Sequence, residues 1–570
     1  PILGLGRTGS VIRSPGSRGP MTGLSWRLRR SLSGPRPWQR LAEATGLEVA
    51  AARLAWLRGD ETPEDLAWRL DGSWARPWDP GLLQGIDAAV ARIRKAIQNG
   101  ERIVVYGDYD ADGVTATALL VRTLERLGAR PSFFIPNRFS DGYGLSLPCI
   151  RELAQGGPGL VISVDCGVRS VAEVEASRAL GLEWVITDHH ALGSELPQAV
   201  AVVHPALGAY PNPALAGVGV AFKLAQALLD AVPVPTGAEA AFLRGLLKLV
   251  ALGTVADMVP LRGENAWLVR QGLQAMGGAN GPGLQALLAS ARVEGVPRAS
   301  AVAFGLGPRL NAVGRMGGAE DAVRLLLTRD AEEAQVLADR AETLNLERRA
   351  LQEAFLARLP EPGDEAFELL VEAGAHKGVL GIVAGQRMRR TGRPTAVGTL
   401  EDGLVQCSCR APEGFDLTEL LERARPWLSG GGGHRSAAGM SFPEASLPFV
   451  RRALATGARE QAAGLLAEVA AVDGEGLAEV PSPAGMAALE PFGMDYPEPV
   501  FAVSGRAAEL RPFKEIHLRF RLKGLEGRFT WFSAVGLIRE DEMLTVAVAP
   551  EDHPRWGRSW RVAERLGDPA

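Results

Sequence analysis

The stretch VVYGDYDADG, residues 104–113, decides the fold, because an apolar run stops there abruptly and three aspartates follow. The run Ile103–Tyr106 is short, continuous and rich in β-branched residues, which is typical of a parallel strand buried on both faces. Helical periodicity over Ala111–Leu127 comes next. The stretch therefore predicts a strand, an acidic turn and a helix. The three aspartates are Asp108, Asp110 and Asp112.

The same order of strand and acid recurs twice along the chain. Apolar runs at Leu160–Val164 and Trp184–Thr187 each end in an aspartate, and a helical stretch, Val171–Leu180, separates them. This alternation predicts an α/β fold with a doubly wound parallel sheet and right-handed crossovers. The two aspartates are Asp165 and Asp188, and His189 and His190 follow the second one.

These strand ends predict a metal site. Loops at the carboxyl ends of parallel strands converge on one crevice, and carboxylates gathered there repel one another unless cations neutralise them. Carboxylate oxygens with one or two imidazoles suit Mn²⁺ or Mg²⁺. A fourth element, LGTVADMVPL, adds Asp257 in a turn. Taken singly, a D-x-D pair indicates a solvated turn, two adjacent histidines indicate surface, and Asp188 could cap a helix. Their joint occurrence favours the metal site.

The bulk composition limits the alternatives. A chain of 570 residues is long enough for roughly three or four domains. No apolar run approaches the ~18–20 residues that cross a bilayer, so we expect a soluble protein without a membrane partner. The net charge of −4 neither indicates nor excludes a nucleic-acid partner. The four cysteines form no disulfide framework, which fits the cytoplasm. Cys407 and Cys409 are typical of one strand rather than of zinc ligands.

The rest of the chain predicts further domains around the acidic one. Helical periodicity dominates before the first strand, a long stretch without Gly or Pro follows residue 320, and the C-terminal part alternates Arg with Phe. We expect a smaller α/β domain after the long helix, and then a β-barrel. The expected parts are 1–20 as a vector-derived or upstream segment, 21–100 as a helical segment on the catalytic domain, 101–320 as the catalytic domain, 321–360 as a connecting helix, 361–465 as the smaller α/β domain and 466–570 as the barrel.

The motifs VVYGDYDADG, VISVDCG, VITDHH and GTVADMVPL, in this order, resemble the four motifs of the DHH phosphoesterase family. The segments IPNRFSDGYGL, GPRLNAVGRMGGA, GGGGHRSAAGM and LEPFGMDYPEPVF resemble its exonuclease members. The resemblance implies a DHH catalytic domain, a DHH-associated substrate-binding domain and an OB-fold barrel. It also implies a 5′-to-3′ exonuclease that releases mononucleotides from single-stranded DNA in DNA repair and recombination. Candidate partners are then a helicase and a single-strand-binding protein.

The resemblance also implies a site with two Mn²⁺ or Mg²⁺ ions bridged by one aspartate. Some family members carry a histidine where this chain has Tyr106, so the first ion would rely on Asp108 or water instead. His190 would face the substrate phosphate, and Asp188 would orient the site. The first ion would take Asp110 and Asp165 together with Asp108 or water, and the second would take Asp112, Asp165, His189 and Asp257. The catalytic set would be His190, Asp165 and Asp112.

Several basic segments are candidates for holding DNA. The glycine run at 430–439 could cradle an anion through its backbone N–H groups, or be a flexible linker. The arginine-rich segment GPRLNAVGR could clamp a terminal phosphate, and NRFSDGYGL could line the cleft or pack as an ordinary loop. The predicted DNA or phosphate contacts are Arg138, Tyr143, Arg309, Asn311, Arg315, Gly433, His434, Arg435 and Ser436.

Two further basic stretches have open interpretations. Arg511–Trp531 interleaves cations with aromatic rings, as a single-strand platform does, although a solvated strand over an aromatic core has the same pattern. Gln386–Pro394 could line the DNA path or be surface charge. A small-oligonucleotide nuclease or phosphatase and an inactive replication scaffold remain the alternative functions. The scaffold is disfavoured because the chain keeps Asp110, Asp112, Asp165, His189 and Asp257.

Overall fold

The chain divides into two compact units. The structure, a computed structural model, describes residues 24–30, 36–74, 76–138, 142, 144–230, 237–316, 318–463, 470–553 and 557–569. Of these, the first unit comprises Arg36–Leu346 and Ala484–Glu498, and the second comprises the rest. The expected upstream segment 1–20 and the predicted DNA contact Tyr143 lie outside the described residues.

The first unit is built on a five-stranded parallel sheet in the order β3-β2-β4-β5-β6. The predicted apolar runs form its central strands, and helices cover it, so the sheet is buried as parallel sheets are. Labels follow chain order, and β1 belongs to the second unit. The strands are β2 Ile103–Gly107, β3 Ser132–Phe134, β4 Gly159–Val164, β5 Leu182–Thr187 and β6 Ala201–Val203.

Helices make up most of the rest of the first unit. Three of them, α5, α8 and α9, pack together beside the sheet. The helices are α1 Pro37–Thr45, α2 Val49–Leu57, α3 Pro63–Leu70, α4 Ile86–Asn99, α5 Ala111–Arg126, α6 Leu147–Gln155, α7 Val171–Arg178, α8 Gly217–Leu228, α9 Gly237–Ala256, α10 Gly263–Met276, α11 Pro282–Ser290, α12 Ala299–Ala301, α13 Gly307–Met316, α14 Glu320–Leu327 and α15 Ala331–Arg358, with a π-helix at Val302–Leu306.

The second unit contains a smaller α/β domain. Its five-stranded sheet has the order β10-β11-β9-β8-β7, in which only β7 and β8 are parallel neighbours. A buried ion pair between Arg387 and Glu368 (2.8 Å) ties a helix to this sheet. The elements are β7 Glu368–Ala373, α16 Lys377–Thr391, β8 Thr395–Glu401, β9 Leu404–Arg410, α17 Leu417–Ala424, β10 Gly430–Gly433, β11 Ala437–Pro443 and α18 Leu447–Ala462.

The second unit also contains a closed barrel, in which β14, β15, β16, β18 and β17 pair in turn and β17 returns to β14. The expected fold class is confirmed: a parallel-sheet domain, a long helix, a smaller α/β domain and a five-stranded barrel consistent with an OB-fold. The remaining elements of the second unit are β12 Ala470–Val472, β13 Gly474–Glu475, β14 Phe501–Phe513, β15 His517–Leu522, β16 Phe529–Trp531, β17 Met543–His553 and β18 Gly557–Pro569, and from Ala484 onward α19 Pro483–Leu489 belongs to the first unit.

Two local predictions are wrong. Residues 21–100 are not helical throughout, because Leu24–Leu28 form strand β1, which pairs with β12 and β18 of the barrel sheet. The long helix is interrupted between α14 and α15, because Asp330 accepts hydrogen bonds from the N–H groups of Glu332 (2.7 Å) and Glu333 (2.9 Å) and begins a new helix.

None of the described helices has the length and apolar character that a membrane span requires.

The segment Ala484–Glu498 packs within the first unit, although the barrel follows it in sequence. Arg69 is 2% exposed and donates to the carbonyl oxygens of Leu489 (3.1 Å) and Pro491 (3.0 Å). Its guanidinium carbon also lies 3.4 Å from the centroid of the Tyr496 ring. The segment therefore satisfies a buried cation of the first unit, and its sequence neighbours gave no sign of this.

A second buried cation, Lys223 of α8, holds the helices beside the sheet. Its ammonium lies 2.6 Å from Glu264 of α10, and both side chains are fully buried. Lys223 also donates to the Trp78 carbonyl oxygen (2.6 Å), and Tyr210 donates to Glu264 (2.8 Å). Because the side chains of Lys223 and Glu264 are both fully buried, loss of one of them leaves the charge of the other without compensation.

We expect Glu264→Ala to lower the free energy of unfolding of the first unit by about 3–5 kcal/mol, because Lys223 would stay buried without its carboxylate. Urea unfolding followed by circular dichroism measures the change. The control is Glu175→Gln, which removes an exposed pair with Arg178 (3.0 Å) and should cost less than about 1 kcal/mol. Equal losses in the two variants would contradict the argument.

Candidate metal centre and active site

The acidic turn after β2 is held by its own backbone. Asp110 caps α5 by accepting hydrogen bonds from the N–H groups of Asp112 (2.9 Å) and Gly113 (3.2 Å). Position 113 must be glycine, because a Cβ there would lie 2.5 Å from the Asp108 carbonyl oxygen. The predicted strand, turn and helix therefore place the carboxylates of Asp108, Asp110 and Asp112 at the end of β2.

Asp112 is fixed by the amino terminus of another helix. Its carboxylate accepts hydrogen bonds from the backbone N–H groups of Gly217 (2.7 Å) and Val218 (2.9 Å), in the first turn of α8. From α9, Gly253 approaches so closely that a Cβ would lie 2.6 Å from Asp112 Oδ1. The carboxylate is therefore enclosed by three helices, and the positive end of α8 favours its charged form.

Asp165 sits at the end of β4 in a left-handed conformation (φ 63°), which non-glycine residues seldom adopt. Its N–H donates to the Thr187 carbonyl oxygen (3.0 Å) and continues the sheet. A Cβ at Gly217 would lie 2.5 Å from Asp165 Oδ1, so only glycine fits beside it. Backbone strain of this kind is concentrated at functional sites.

His189 joins the acids into one cluster. Its Nε2 lies 3.1 Å from Asp165 Oδ1, 3.6 Å from Asp257 Oδ2 and 3.7 Å from Asp112 Oδ2. Burial and the neighbouring charge of His190 lower the pKa of His189 to about 4, so its imidazole is neutral at physiological pH. A neutral imidazole facing three carboxylates is a suitable metal ligand.

His190 is oriented by Asp188. Its Nδ1 lies 2.8 Å from Asp188 Oδ1, which also accepts hydrogen bonds from the N–H groups of both histidines. Although burial opposes it, the hydrogen bond and charge of Asp188 raise the pKa of His190 to about 9. The same contact, again against burial, lowers the pKa of Asp188 to about 2. His190 is therefore a cation at neutral pH.

His204, just after β6, is a site residue that the sequence reasoning missed. Its side chain is buried, and its Nε2 lies 2.8 Å from the His190 carbonyl oxygen. The other ring nitrogen accepts a hydrogen bond from the Ala206 N–H (3.1 Å), so Nε2 carries the proton and donates. His204 thus fixes the backbone of His190. A polar residue at the end of a fourth apolar run was the signal that could have revealed it.

The site is strongly electronegative and fits divalent cations. Burial and the charge of neighbouring aspartates raise the pKa of Asp112 to about 7 and that of Asp257 to about 8. Burial and carboxylate neighbours also raise the pKa values of Asp108 and Asp165. Asp108 Oδ1 and His189 Nε2 are buried and make no hydrogen bond within the described part of the chain.

Three groups of potential ligand atoms occur among the described residues, each with its atoms within 4.8 Å of one another. Carboxylate oxygens with neutral imidazole nitrogen suit Mn²⁺ or Mg²⁺. Two of the groups coincide with the two ion positions expected from the sequence, apart from the bridging role of Asp165 in the second. The groups are Asp108, Asp110 and Asp165; Asp112, His189 and Asp257; and Asp165, His189 and His190.

Tyr106 is turned to packing rather than to the acids. It is fully buried, and its hydroxyl donates to the Gly144 carbonyl oxygen (2.9 Å). Its ring stacks on Phe134, with 5.3 Å between ring centroids, and burial raises its pKa. A buried neutral phenol that donates to a backbone carbonyl oxygen is a poor candidate for a metal ligand.

The three residues of the predicted phosphate clamp on α13 have different surroundings in the structure. Asn311 lies beside the acids, because its Oδ1 accepts a hydrogen bond from the Ala111 N–H at the start of α5 (2.8 Å). Arg309 does not fit a clamp: it is buried, pairs with Glu342 (2.7 Å) and donates to the Gly305 and Ser290 carbonyl oxygens. Arg315 is partly exposed on the same helix.

Arg138 and the basic stretch on α16 also have partners in the structure. The Arg138 guanidinium carbon lies 5.1 Å from the centroid of the Tyr109 ring, next to the acidic turn. In the stretch Gln386–Pro394, Arg387 is buried in its pair with Glu368, and Arg390 pairs with Glu361 (2.7 Å). The stretch therefore has fewer cations available to contact DNA than its composition indicates.

The glycine run forms an edge strand rather than a flexible linker. Gly430–Gly433 pair with β11, and Gly433 approaches so closely that a Cβ would lie 2.5 Å from the Ala438 Cα. The hairpin turn is exposed, with Arg435 3.0 Å from Asp416 and 77% of its side chain exposed. His434, Arg435 and Ser436 lie together in this turn, so they stay predicted phosphate contacts.

The raised pKa values give the metal-free protein a specific pH dependence. A carboxyl whose folded pKa is raised stabilises the fold below its unfolded pKa, and this contribution is lost as pH rises through the folded value. Folded values of about 7 for Asp112 and about 8 for Asp257 set the upper end of the window. His190, with its raised pKa of about 9, acts in the same direction.

We therefore expect the Tm of chelator-treated protein to fall from about pH 5 to about pH 8.5, and Mn²⁺ to raise Tm most at the upper end. Differential scanning calorimetry with and without Mn²⁺ measures both effects. Asp257→Asn removes one titrating carboxyl and should flatten the fall. A Tm that rises over this range in the absence of metal would contradict the assignment.

Comparison with known proteins agrees with this geometry. The profile of the DHH family N-terminal domain matches residues 102–254, and that of the DHHA1 domain matches residues 364–459. The single-stranded-DNA-specific exonuclease RecJ of Thermus thermophilus is 38% identical over 517 residues, 88% of this chain and 72% of the relative. RecJ of Escherichia coli is 35% identical over 514 residues, 83% of this chain and 86% of the relative.

Two further matches complete the comparison. RecJ of Bacillus subtilis is 38% identical over 483 residues, 82% of this chain, and the match spans 60% of that relative's length. The crystal structure of Thermus thermophilus RecJ in complex with Mn²⁺ has a TM-score of 0.81 and 34% identity, covering 94% of this chain and 78% of the other. With identity above one third across most of both chains, this protein belongs to the RecJ family of DHH proteins.

Proposed function

We propose that the chain is a two-metal-dependent exonuclease that hydrolyses single-stranded DNA from its 5′ end and releases mononucleotides. The observation that carries the proposal is the cluster in which His189 faces the buried carboxylates of Asp112 and Asp165 and the partly buried carboxylate of Asp257. Relatives that share the fold are named single-stranded-DNA-specific exonucleases, and one of them was solved with Mn²⁺. The same cluster argues against an inactive scaffold.

The proposed ligands follow the groups of donor atoms. Asp108, Asp110 and Asp165 would hold one ion, and Asp112, His189 and Asp257 the other. We propose Asp165 as the residue they share, because it lies within 3.1 Å of His189 Nε2 and also belongs to the first group. Divalent cations in such a site supply the positive charge that lowers the pKa of water and offsets charge on the phosphate.

The remaining chemistry belongs to the residues around the ions. His190 is charged at neutral pH and 30% exposed, so its imidazolium can stabilise negative charge on the phosphate or give a proton to the leaving oxygen. Asp188 orients the His190 ring, and His204 holds its backbone. We propose His190, Asp165 and Asp112 as the catalytic set.

The second unit supplies a surface suited to single strands. On the barrel, the rings of Phe513, His517 and Phe532 lie within 5.1–6.5 Å of one another, and Arg519 stands 4.3 Å from the Phe513 ring centroid. Phe532 is 43% exposed. Exposed rings beside cations suit stacked bases and their backbone, so we propose this cluster, together with His434, Arg435 and Ser436 on the hairpin, as DNA contacts.

The cellular setting is part of the proposal. Degradation of single strands from the 5′ end fits DNA repair and recombination in the cytoplasm, where a helicase would supply the strand and a single-strand-binding protein would cover it. The relatives' names support the substrate. The alternative function is a small-oligonucleotide nuclease, and the following experiment distinguishes it from an exonuclease that acts on long strands.

Single strands labelled at either end, mixed with protein and Mn²⁺, test the activity and its polarity. We expect loss of the 5′ label first, no cleavage after chelation, and a kcat lowered by about 10²–10⁴-fold in His190→Ala. Asp165→Asn should abolish cleavage, whereas Arg151→Gln, an exposed residue on α6, should not change it. Equal decay from both ends would refute the polarity, and cleavage of dinucleotides alone would favour the small-oligonucleotide nuclease.

For the barrel, we expect Phe532→Ala to weaken single-strand binding by about 1–3 kcal/mol, because it removes one stacking ring. Fluorescence anisotropy with a labelled oligonucleotide and chelated protein measures this change without cleavage. The matched control is Phe449→Ala, which removes another half-exposed ring, one stacked on Trp427. Unchanged binding in Phe532→Ala would indicate a solvated strand face instead.

A further inference from the structure

The first unit contains a basic cavity separate from the acidic cluster. It encloses about 410 Å³ between α5, α9, α11 and α14, a volume in the range of small-molecule sites. Its wall combines three cations with aliphatic side chains, and none of the described residues that line it carries a carboxylate. The cations are Arg122, Arg244 and Lys248, and the largest aliphatic groups are Leu249, Leu284 and Leu326.

Two of the cations are anchored by backbone oxygens. Arg122 donates to the Leu326 carbonyl oxygen, and its Nη2 would lie 3.9 Å from a Cβ at Gly281, the residue that precedes α11. Lys248 donates to the Ala279 carbonyl oxygen (2.5 Å) and to Asn280 Oδ1 (2.9 Å). These contacts hold both cations toward the cavity, but they supply no negative charge.

The cavity therefore has a lining of net positive charge. Arg244 is exposed and makes no ion pair or hydrogen bond within the described residues. Burial and the charge of Arg122 lower the pKa of Lys248, so these like charges disfavour each other as they stand. Burial lowers the pKa of Arg122; the nearest acid on α5, Glu125, acts to raise that pKa and so offsets part of the charge, but it is shared with Arg329 (3.4 Å). An anion in the cavity would relieve this repulsion.

The size and charge of the cavity restrict the ligand. Three cations match the charge of a diphosphate group, and the guanidinium fork of arginine suits phosphate oxygens. The aliphatic wall offers an apolar surface for the rest of the molecule. We propose that this cavity, at Arg122, Arg244 and Lys248, is a binding site for a nucleoside diphosphate or a closely similar phosphorylated metabolite.

The position of the cavity links it to the acidic cluster. Arg122 lies ten residues after Asp112 on α5, and Lys248 lies nine residues before Asp257 at the end of α9. At 1.5 Å per residue, the cavity stands about 15 Å from the acids along both helices. A ligand held by both helices would change the positions of the aspartates at their other ends, and through them DNA cleavage. This regulatory step rests on the proposed function, whereas binding does not.

Isothermal titration of chelated full-length protein with ADP, adenosine and pyrophosphate tests the site directly. We expect ADP to bind, pyrophosphate to bind more weakly and adenosine not to bind. Arg244→Glu and Lys248→Gln should each weaken ADP binding by about tenfold or more, because each removes a charged phosphate contact. Arg151→Glu, an exposed arginine on α6 outside the cavity, is the matched control and should leave binding unchanged.

Several results would overturn the proposal. These are adenosine binding as tightly as ADP, ADP binding that survives Arg244→Glu, or binding that is lost in His190→Ala and so belongs to the active site. Capture of an acidic peptide through its free carboxylate, with no binding of ADP, would assign the cavity to a protein partner instead. Binding without any effect of ADP on DNA cleavage would remove only the regulatory step, even if the nuclease assay succeeds.

Discussion

The mutual repulsion of buried carboxylates at one end of a parallel sheet is the constraint on which the rest of the first unit depends. Such a cluster is stable only if positive charge, protons or cations offset it. The fold supplies part of the offset through the amino terminus of α8, which donates two N–H groups to Asp112. The close approach of Gly217 and Gly253 makes this possible, because any side chain at either position would displace a carboxylate.

The two histidines contribute in different ways to offsetting the negative charge of the carboxylates. His189, with its lowered pKa, faces the acids as a neutral ligand, and His190, with its raised pKa, remains a cation beside them. The two residues are adjacent in sequence, and the carboxylate of Asp188 separates their behaviour by contacting only one of the two rings. One carboxylate outside the cluster thus determines which imidazole can bind a metal and which can meet a phosphate.

The strand-terminal acids could be predicted from the sequence, because each depends on a local pattern of apolar run and turn. The parallel sheet and the barrel followed from the same kind of pattern. Contacts between distant segments could not be read in this way. Arg309 is a plausible phosphate clamp in the sequence but pairs with Glu342 in the structure. The glycine run could be an anion cradle or a flexible linker in the sequence, but in the structure it pairs with β11. His204 was missed because one histidine after a short strand is an ordinary residue unless its partner is known.

Because Ala484–Glu498 packs within the first unit, it limits where the chain can be cut to isolate that unit. A cut at the start of the C-terminal region appears natural in sequence, since a barrel follows. It would nevertheless strip the carbonyl acceptors and the aromatic face from Arg69, a cation buried within the catalytic part. Shortening the chain there would leave a desolvated charge in what remains. The catalytic part is therefore discontinuous in sequence, and an isolated version would have to retain this segment through a graft or a circular permutation rather than a truncation.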